Sequence, residues 1–406
     1  MPTGDGLLVR IITAGSTIRL DAWAALCAAA RRHGNGILEI TARGSIQVRG
    51  LSAGTATGFA QAIAALDIAA GGVPILVDPL AGLDPQAVID AGALASELRG
   101  RLAEASFAAT LGPKVSVVVD AGAALDLDGV AADVRLRAEA ASGRLQVALG
   151  GDAAGAKSLG AVAERLAGEA VFRLLEAIAK RGPTARARDV VGERGGLDAL
   201  RATVADLLQP AAAPAPRQQA ELIGHHGLRD GSVALGVGLA FGHTEVGALE
   251  ALIAAADRAG GCGIRAAPGR ALLIVELRAG KVQALAEKAE KLGFVTRADD
   301  PRRSVAACAG APICSSAEIP ARALGPLIIA AAAPLLDGST MVHVSGCPKG
   351  CAHPGPTALT IVGVPAGCGL VLNGTARDQP FAIVAADALP EKVARLAARL
   401  AEAGRG

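Results

Sequence analysis

Leu20 to Leu51 reads LDAWAALCAAARRHGNGILEITARGSIQVRGL, and Val246 to Leu277 reads VGALEALIAAADRAGGCGIRAAPGRALLIVEL. The second segment lies on the first without gaps at a constant offset of 226 residues; apolar positions coincide through most of the span, and Gly34 falls on Gly260. LLVRIIT (7–13) has strand composition, apolar spacing predicts a helix from Leu20 to Ala30, a glycine stops it, and two short strands flank the ARG turn. The later copy repeats strand, helix, strand, turn, strand, the opening of a ferredoxin-like α+β unit. Either unit alone would expose an apolar sheet. The two are therefore expected to pack as a pseudo-twofold pair, residues near 1–75 beside residues near 221–297.

Between the copies, LQPAAAPAPRQQ (208–219) sets three prolines among alanines and favours an extended connector over a helix. Each half then continues into a longer α/β stretch. The expected organisation is a ferredoxin-like unit over 1–79, an α/β domain over 80–207, a linker over 208–220, a second ferredoxin-like unit over 221–296 and a second α/β domain over 297–406.

A chain of 406 residues can bury a core that needs no covalent staples, so its seven cysteines are not there for stability. The start, MPTGDGLLVR, has no basic leader followed by an apolar run; a reducing cytoplasm is expected, and disulfides are not. The longest apolar run, ALGPLIIAAAAPLL (323–336), is interrupted by Gly325, Pro326 and Pro334 and is too short to span a bilayer; its middle reads as a buried helix. Forty basic residues against thirty-eight acidic ones leave a net charge of +2, which gives no bulk electrostatic case for nucleic acid. Aromatics at 2%, with no tyrosine, remove the stacking platforms of single-strand binders.

The sulfur is unevenly placed. No cysteine occurs between Cys27 and Cys262, yet CAGAPIC holds Cys308 and Cys314 and CPKGC holds Cys347 and Cys351, both in loops with glycine and proline. MVHVSG before the second pair reads as a strand that delivers its loop to a sheet edge. Four thiolates of this kind bind an iron–sulfur cube or zinc. The five residues inside the first pair fit zinc poorly, and glycine beside the ligands suits a cube, whose sulfides need close backbone approach. Ordinary buried thiols are the third reading. Cys27 lies on the apolar helix face, while Cys262 and Cys368 fall in glycine-rich segments read as turns, with no partner spacing.

CAGAPIC followed by SGCPKGC resembles the cluster pattern of the sirohaem-type nitrite and sulfite reductases, as do TARGSIQVRG (41–50), DPLAG (78–82) and LGPKVSVVVD (111–120) in the first half. The resemblance covers nearly the whole chain, and HVSGCPKGCAHP (343–354) looks most like the family's oxygen-dependent branch in aerobic cobalamin synthesis. It implies a duplicated α+β architecture, a 4Fe-4S cluster on Cys308, Cys314, Cys347 and Cys351, and a tetrapyrrole-binding domain over 80–207. The implied reaction hydroxylates precorrin-3A at C20 and closes a γ-lactone with the ring A acetate. Dioxygen needs one-electron chemistry to attack a closed-shell molecule, so a separate mononuclear non-haem iron is implied as well.

A six-electron oxyanion reductase neutralises its substrate with arginines and lysines. Arg43 matches the first of these, but the stretch at Gly112 to Ser116 keeps Lys114 and has Ser116 where a second lysine is expected, and GGVPILVDPLAG (71–82) contains no arginine. Arg43, Arg49 and Lys114, with Gln47 for hydrogen bonds, suit the carboxylate arms of a tetrapyrrole. The plain alternative for each is a solvated strand-end charge. Iron ligands are left unassigned among His33, His225, His226, His243, His343 and His353, each of which reads equally as a packed or solvated histidine. GVGLAFG (236–242) and GGDAAGAK (150–157) lack the spacing of dinucleotide and phosphate loops, so an external electron-donor protein is expected. The alternatives are a sirohaem-dependent sulfite or nitrite reductase and a tetrapyrrole or cluster carrier without catalysis.

Overall fold

The computed structural model describes residues 1–403 apart from Ala14, Ser16, Ala141, Ala213, Gln219 and Ser339. It contains four five-stranded sheets in two matching pairs. In the first ferredoxin-like sheet the order is Pro2–Thr3, Gly6–Ile11, Ile46–Leu51, Ile37–Ile40 and then His243–Glu245, all antiparallel. The second runs Gly224–Gly227, Val233–Gly238, Ala271–Leu277, Gly263–Ala267 and then Ile18–Arg19. Each half thus lends its partner an edge strand. The lent strands Ile18–Arg19 and His243–Glu245 obey the 226-residue offset, as do the helices Leu20–His33 and Val246–Arg258 that follow them.

The repeat holds in packing as well as in order. Both helices and both sheets contribute to one apolar core, with Trp23, Leu26 and Cys27 from the first copy and Leu249, Leu252 and Ile264 from the second. Trp23 is fully buried, and its indole N–H donates to the Ile264 carbonyl of the other half at 2.9 Å, so the buried ring keeps its one polar atom satisfied. Gly34 and Gly260 occupy matching helix ends but differ in conformation. Gly260 takes φ +85°, whereas Gly34 stays extended at φ −120° and the left-handed turn passes to Gly36.

The two α/β sheets share a second plan. Ile75–Val77, Val117–Asp120 and Ala132–Ala138 run parallel, and Arg144–Gly151 and Lys157–Ala163 complete the sheet antiparallel. Val305–Ala307, Val342–Ser345 and Thr357–Val364 repeat the parallel set, followed by Gly367–Gly374 and Ala382–Val384. Ile75–Val77 belongs to the α/β sheet, so a boundary after residue 79 falls behind that sheet's first strand.

The Pro-rich connector does not swing free. Gln209 bridges Ala161, the Ala212 and Ala215 carbonyls accept from Gln146 and Arg137, and Arg217 is clamped to Asp120 and Asp128. The apolar run forms helix Ala321–Ala331, buried on one face through Leu324, Gly325 and Ile328 while Leu327 stays exposed on the other. A Cβ on Gly325 would lie 2.5 Å from the Phe241 ring, which would have to shift to admit it. Among the described residues no helix is long and apolar enough to cross a membrane. Cys27 is core, as expected, with its thiol pushed up to about 12 chiefly by burial, and Cys262 is exposed. Cys368 departs from the expectation, being buried within strand Gly367–Gly374.

Candidate active site between the halves

Strands Val305–Ala307 and Val342–Ser345 are parallel neighbours, with Ala307 opposite Val344. Their carboxyl ends therefore release both cysteine loops at one edge, the place where open α/β sheets put their ligands. The loops are stitched together by backbone: Cys308 N–H donates to Val344 (3.2 Å), Cys314 N–H to Gly310 (2.8 Å) and Glu318 N–H to Gly346 (2.8 Å). The Cys308 Sγ accepts the Gly346 N–H at 3.1 Å, and Ser345 Oγ donates to the Cys347 carbonyl at 2.7 Å. A Cβ on Gly346 would fall 2.6 Å from Ala317 Cβ and 3.4 Å from Cys308 Sγ, so only glycine lets the two loops close.

Cys308 and Cys351 register the charges of the neighbouring thiols. Burial and then the charges of Cys351 and Cys314 push the Cys308 thiol up; burial and then Cys347 and Cys314 push up Cys351. Four soft donors with no acid among them, plus a backbone N–H already aimed at one sulfur, fit an iron–sulfur cube. A cube spreads its ligands over four irons. A single zinc gathers them into one small tetrahedron, and among the described residues no three His, Cys, Asp or Glu side chains converge that tightly.

All four cysteines line one cavity of about 640 Å³, and so do Arg43, Gln47, Arg49 and Lys114 from the first half. Arg43 sits at the tip of its hairpin, bridged to Pro268 of the second copy; its guanidinium donates to the Ala131 carbonyl (2.7 Å) and to Ser116 Oγ (2.9 Å). Burial, then the Arg186 charge, pulls its pKa below the ordinary arginine value. Lys114 is exposed. With its amide oriented so that both ends are satisfied, Gln47 donates to Glu39 (3.0 Å) and accepts from Arg10 (2.7 and 2.9 Å).

Arg49 departs from the expectation of a substrate cation. It is buried, and its guanidinium is taken up by Asp5 (3.1 Å), Glu39 (3.5 Å) and the Ile313 carbonyl (3.2 Å). A side chain at an inward strand position beneath two carboxylates is consumed by the fold.

Sequence reasoning missed Arg10, Arg186, Arg270, Arg322 and Lys349, which also line the cavity. Arg270 had a signal in the repeat. At the 226-residue offset it falls on Gly44, beside Arg43, so the two hairpin tips meet and each brings an arginine. Arg270 holds φ +63°, donates to the Ala352 carbonyl of the second cysteine loop, and has its pKa lowered by burial. Arg186 is spent on the buried Asp133, and Lys349 on Ser316 Oγ (2.8 Å). No histidine is among the described lining residues. His343 and His353 stand 6.0 Å apart behind the second cysteine loop, while His226 and His243 hydrogen-bond to backbone carbonyls. Among the described residues, the mononuclear iron expected from the resemblance finds no ready set of ligands.

Residues 1–66 match the family described as the nitrite/sulfite reductase ferredoxin-like half domain. The backbone superposes on the Mycobacterium tuberculosis NirA protein with a TM-score of 0.81, covering 97% of this chain and 81% of that one at 18% identity, a likeness of fold. A precorrin-3B synthase from Sinorhizobium sp is 40% identical over 399 residues, 98% of this chain and 86% of that protein. The chain belongs to the precorrin-3B synthase family.

For a precorrin-3B synthase family member the electrostatics of the cavity are lopsided in a useful way. Eight arginines and lysines line it, and Glu39 is the one carboxylate among the described lining residues. Arg49 and Arg322 are answered by Glu39 and Arg186 by Asp133, which leaves Arg10, Arg43, Arg270, Lys114 and, on the thiol side, Lys349 without a carboxylate partner among the described residues; arginine stays charged even where burial lowers its pKa.

Proposed function

We propose that this protein is an oxygen-dependent precorrin-3B synthase of cobalamin biosynthesis, which hydroxylates precorrin-3A at C20 with closure of a γ-lactone. The observation that carries the reading is the two-walled cavity, with four thiols on one side and a cationic wall on the other. Arg43, Gln47 and Lys114, joined by Arg10, would hold the carboxylate arms. Arg43 is already fixed by two hydrogen bonds and so presents a preformed donor, while the exposed Lys114 can follow a flexible acetate or propionate. The hairpin tips bearing Arg43 and Arg270 close the cavity from the ferredoxin-like side and keep the macrocycle against the thiol wall.

A 4Fe-4S cluster on Cys308, Cys314, Cys347 and Cys351 would supply single electrons when bound. The side chains do not assign ligands for a mononuclear iron. A cytoplasmic location and a separate electron-donor protein complete the reading. It is tested with purified protein, precorrin-3A, a chemical reductant and labelled dioxygen. Label in the hydroxylated lactone, and no product under anaerobiosis, is the expected result. Product formed equally without oxygen, or sulfite reduction by protein showing sirohaem absorption bands, would overturn it.

A further inference from the structure

The first cysteine loop runs from strand Val305–Ala307 to helix Ala321–Ala331, and the first half of the chain grips it at two points. At its middle, the Ile313 carbonyl, next to Cys314, accepts the Gly4 N–H at 3.0 Å and the Arg49 Nη2 at 3.2 Å. At its far end Arg322, in the first turn of the helix, donates to Glu39 Oε1. The second oxygen of Glu39 accepts from Arg49 at 3.5 Å. One carboxylate in strand Ile37–Ile40 therefore holds two arginines, one at the middle and one at the far end of the same loop.

We propose that this bracket, Asp5, Glu39, Arg49 and Arg322, is a positioning device by which the first ferredoxin-like unit sets the geometry of the Cys308–Cys314 loop. Four observations support it. Its side chains are almost withdrawn from solvent, at 16% exposure for Asp5, 10% for Glu39, 5% for Arg49 and 11% for Arg322. Two acids balance two guanidinium groups, so no net charge is buried. A carboxylate pair fixes an arginine in a plane, which a lone hydrogen bond does not. Finally, the backbone is fitted to the loop: a Cβ on Gly4 would lie 2.3 Å from the Pro312 carbonyl. The grips are unequal. Arg49 is bonded to two carboxylates and a carbonyl, whereas Arg322 leaves its buried Nε and Nη1 without partners. Arg49 is the stronger hold.

The consequence for the cluster rests on the reading of the four cysteines as its ligands, and the test separates the two. Hydrogen exchange on full-length metal-free protein reads the bracket alone. Exchange across residues 309–320 should rise several-fold in Arg49→Ala and Gly4→Ala, less in Arg322→Ala, and least in Arg49→Lys. After reconstitution, Arg49→Ala should hold less iron and acid-labile sulfide than the parent, show a shifted cluster midpoint potential, and lose kcat with little change in KM. Arg49→Lys should recover part of each. Unchanged exchange in Arg49→Ala, or full cluster with an unshifted potential and a raised KM, overturns the bracket and returns Arg49 to the substrate. A parent protein that takes up no iron and sulfide overturns the cluster reading, while the exchange data still decide the bracket.

Discussion

The two α/β sheets have the same strand order, and where their parallel strands release their loops the matching residues have diverged in chemistry. Register pairs Val77 with Val119 in one and Ala307 with Val344 in the other, which sets Asp78 against Cys308 and Asp120 against Ser345. Even one hydrogen bond is shared: Asp78 Oδ2 accepts the Ala121 N–H at 2.7 Å where Cys308 Sγ accepts that of Gly346. In the first sheet the pocket is closed. Asp78 and Asp120 are fully buried, burial and then the Asp120 charge push the Asp78 carboxyl well up, and Arg217 from the linker is bonded to Asp120 and Asp128. In the second, four thiols stay together and face the cavity. A scaffold duplicated once has exchanged a buried carboxylate pair answered by an arginine for a group of soft donors that line the cavity.

The largest expected effect breaks the second pocket. Replacing Cys308, Cys314, Cys347 or Cys351 singly by alanine should abolish iron and labile-sulfide uptake and with it turnover, while the chain stays folded by circular dichroism. A variant that keeps its full cluster would show that the four thiols are not equivalent ligands.

Next is the clasp of the first pocket. Arg217→Ala strands the buried Asp120 and the partly buried Asp128, and breaking a buried pair from one side costs about 3–5 kcal/mol. Urea unfolding should show a loss of that order with the cluster spectrum unaltered. A loss below about 1 kcal/mol, the level of an exposed pair, would mean that the linker merely rests on the domain.

A third test lies one strand position inward. Val118 of the first sheet corresponds to His343 of the second, whose ring is fully buried with neither nitrogen bonded. Burial, then the charges of His353 and Arg270, push His343 down to about 4 from 6.5. The folded state therefore binds fewer protons than the unfolded chain between these values. The contribution is intact above pH 6.5 and is lost as pH falls through that window towards 4, by up to about 3 kcal/mol. Stability measured across this range in the parent and in His343→Gln should diverge, with the variant losing less.

The smallest effect should come from Asp78→Asn. A carboxyl whose folded pKa is raised favours the fold below its ordinary value of 3.8 and loses that advantage as pH rises through the folded value. The amide does not titrate. The variant should equal or slightly exceed the parent in thermal midpoint at neutral pH, with the difference shrinking in acid; a large loss would show that Asp78 is needed as a carboxylate.

The duplication was legible because helix and hairpin burial repeats the same apolar positions at 226 residues, and the cysteine pairs because thiols at short spacing are chemically conspicuous. The exchanged edge strands were not legible. Ile18–Arg19 and His243–Glu245 have two and three residues, too few to carry a period, and their partners lie in the other half. The α/β domain in each half was expected, but the residue-by-residue match between the two was hidden, because Asp78 stands at the place of Cys308. Charge in the cavity was only half readable: Arg43 and Lys114 lie in recognisable stretches, whereas Arg10, Arg270 and Arg322 reach it from three separate elements. Arg49 reads as a cavity cation in sequence because nothing local reveals that Asp5 and Glu39 will consume it.

The exchanged strands also set a schedule. The fifth strand of the first sheet is His243–Glu245 and that of the second is Ile18–Arg19, so a nascent chain that has passed the linker still owns no completed ferredoxin-like sheet. The first sheet must wait for His243–Glu245 and the second for Ala271–Leu277 to leave the ribosome, and until then an apolar face of the paired core stays uncovered. Segments 1–220 and 221–406, which keep Arg217 with its acids, should aggregate when made separately, and made together should recover a soluble complex, measurable by gel filtration. Soluble, monomeric halves would show that each unit can close its own edge.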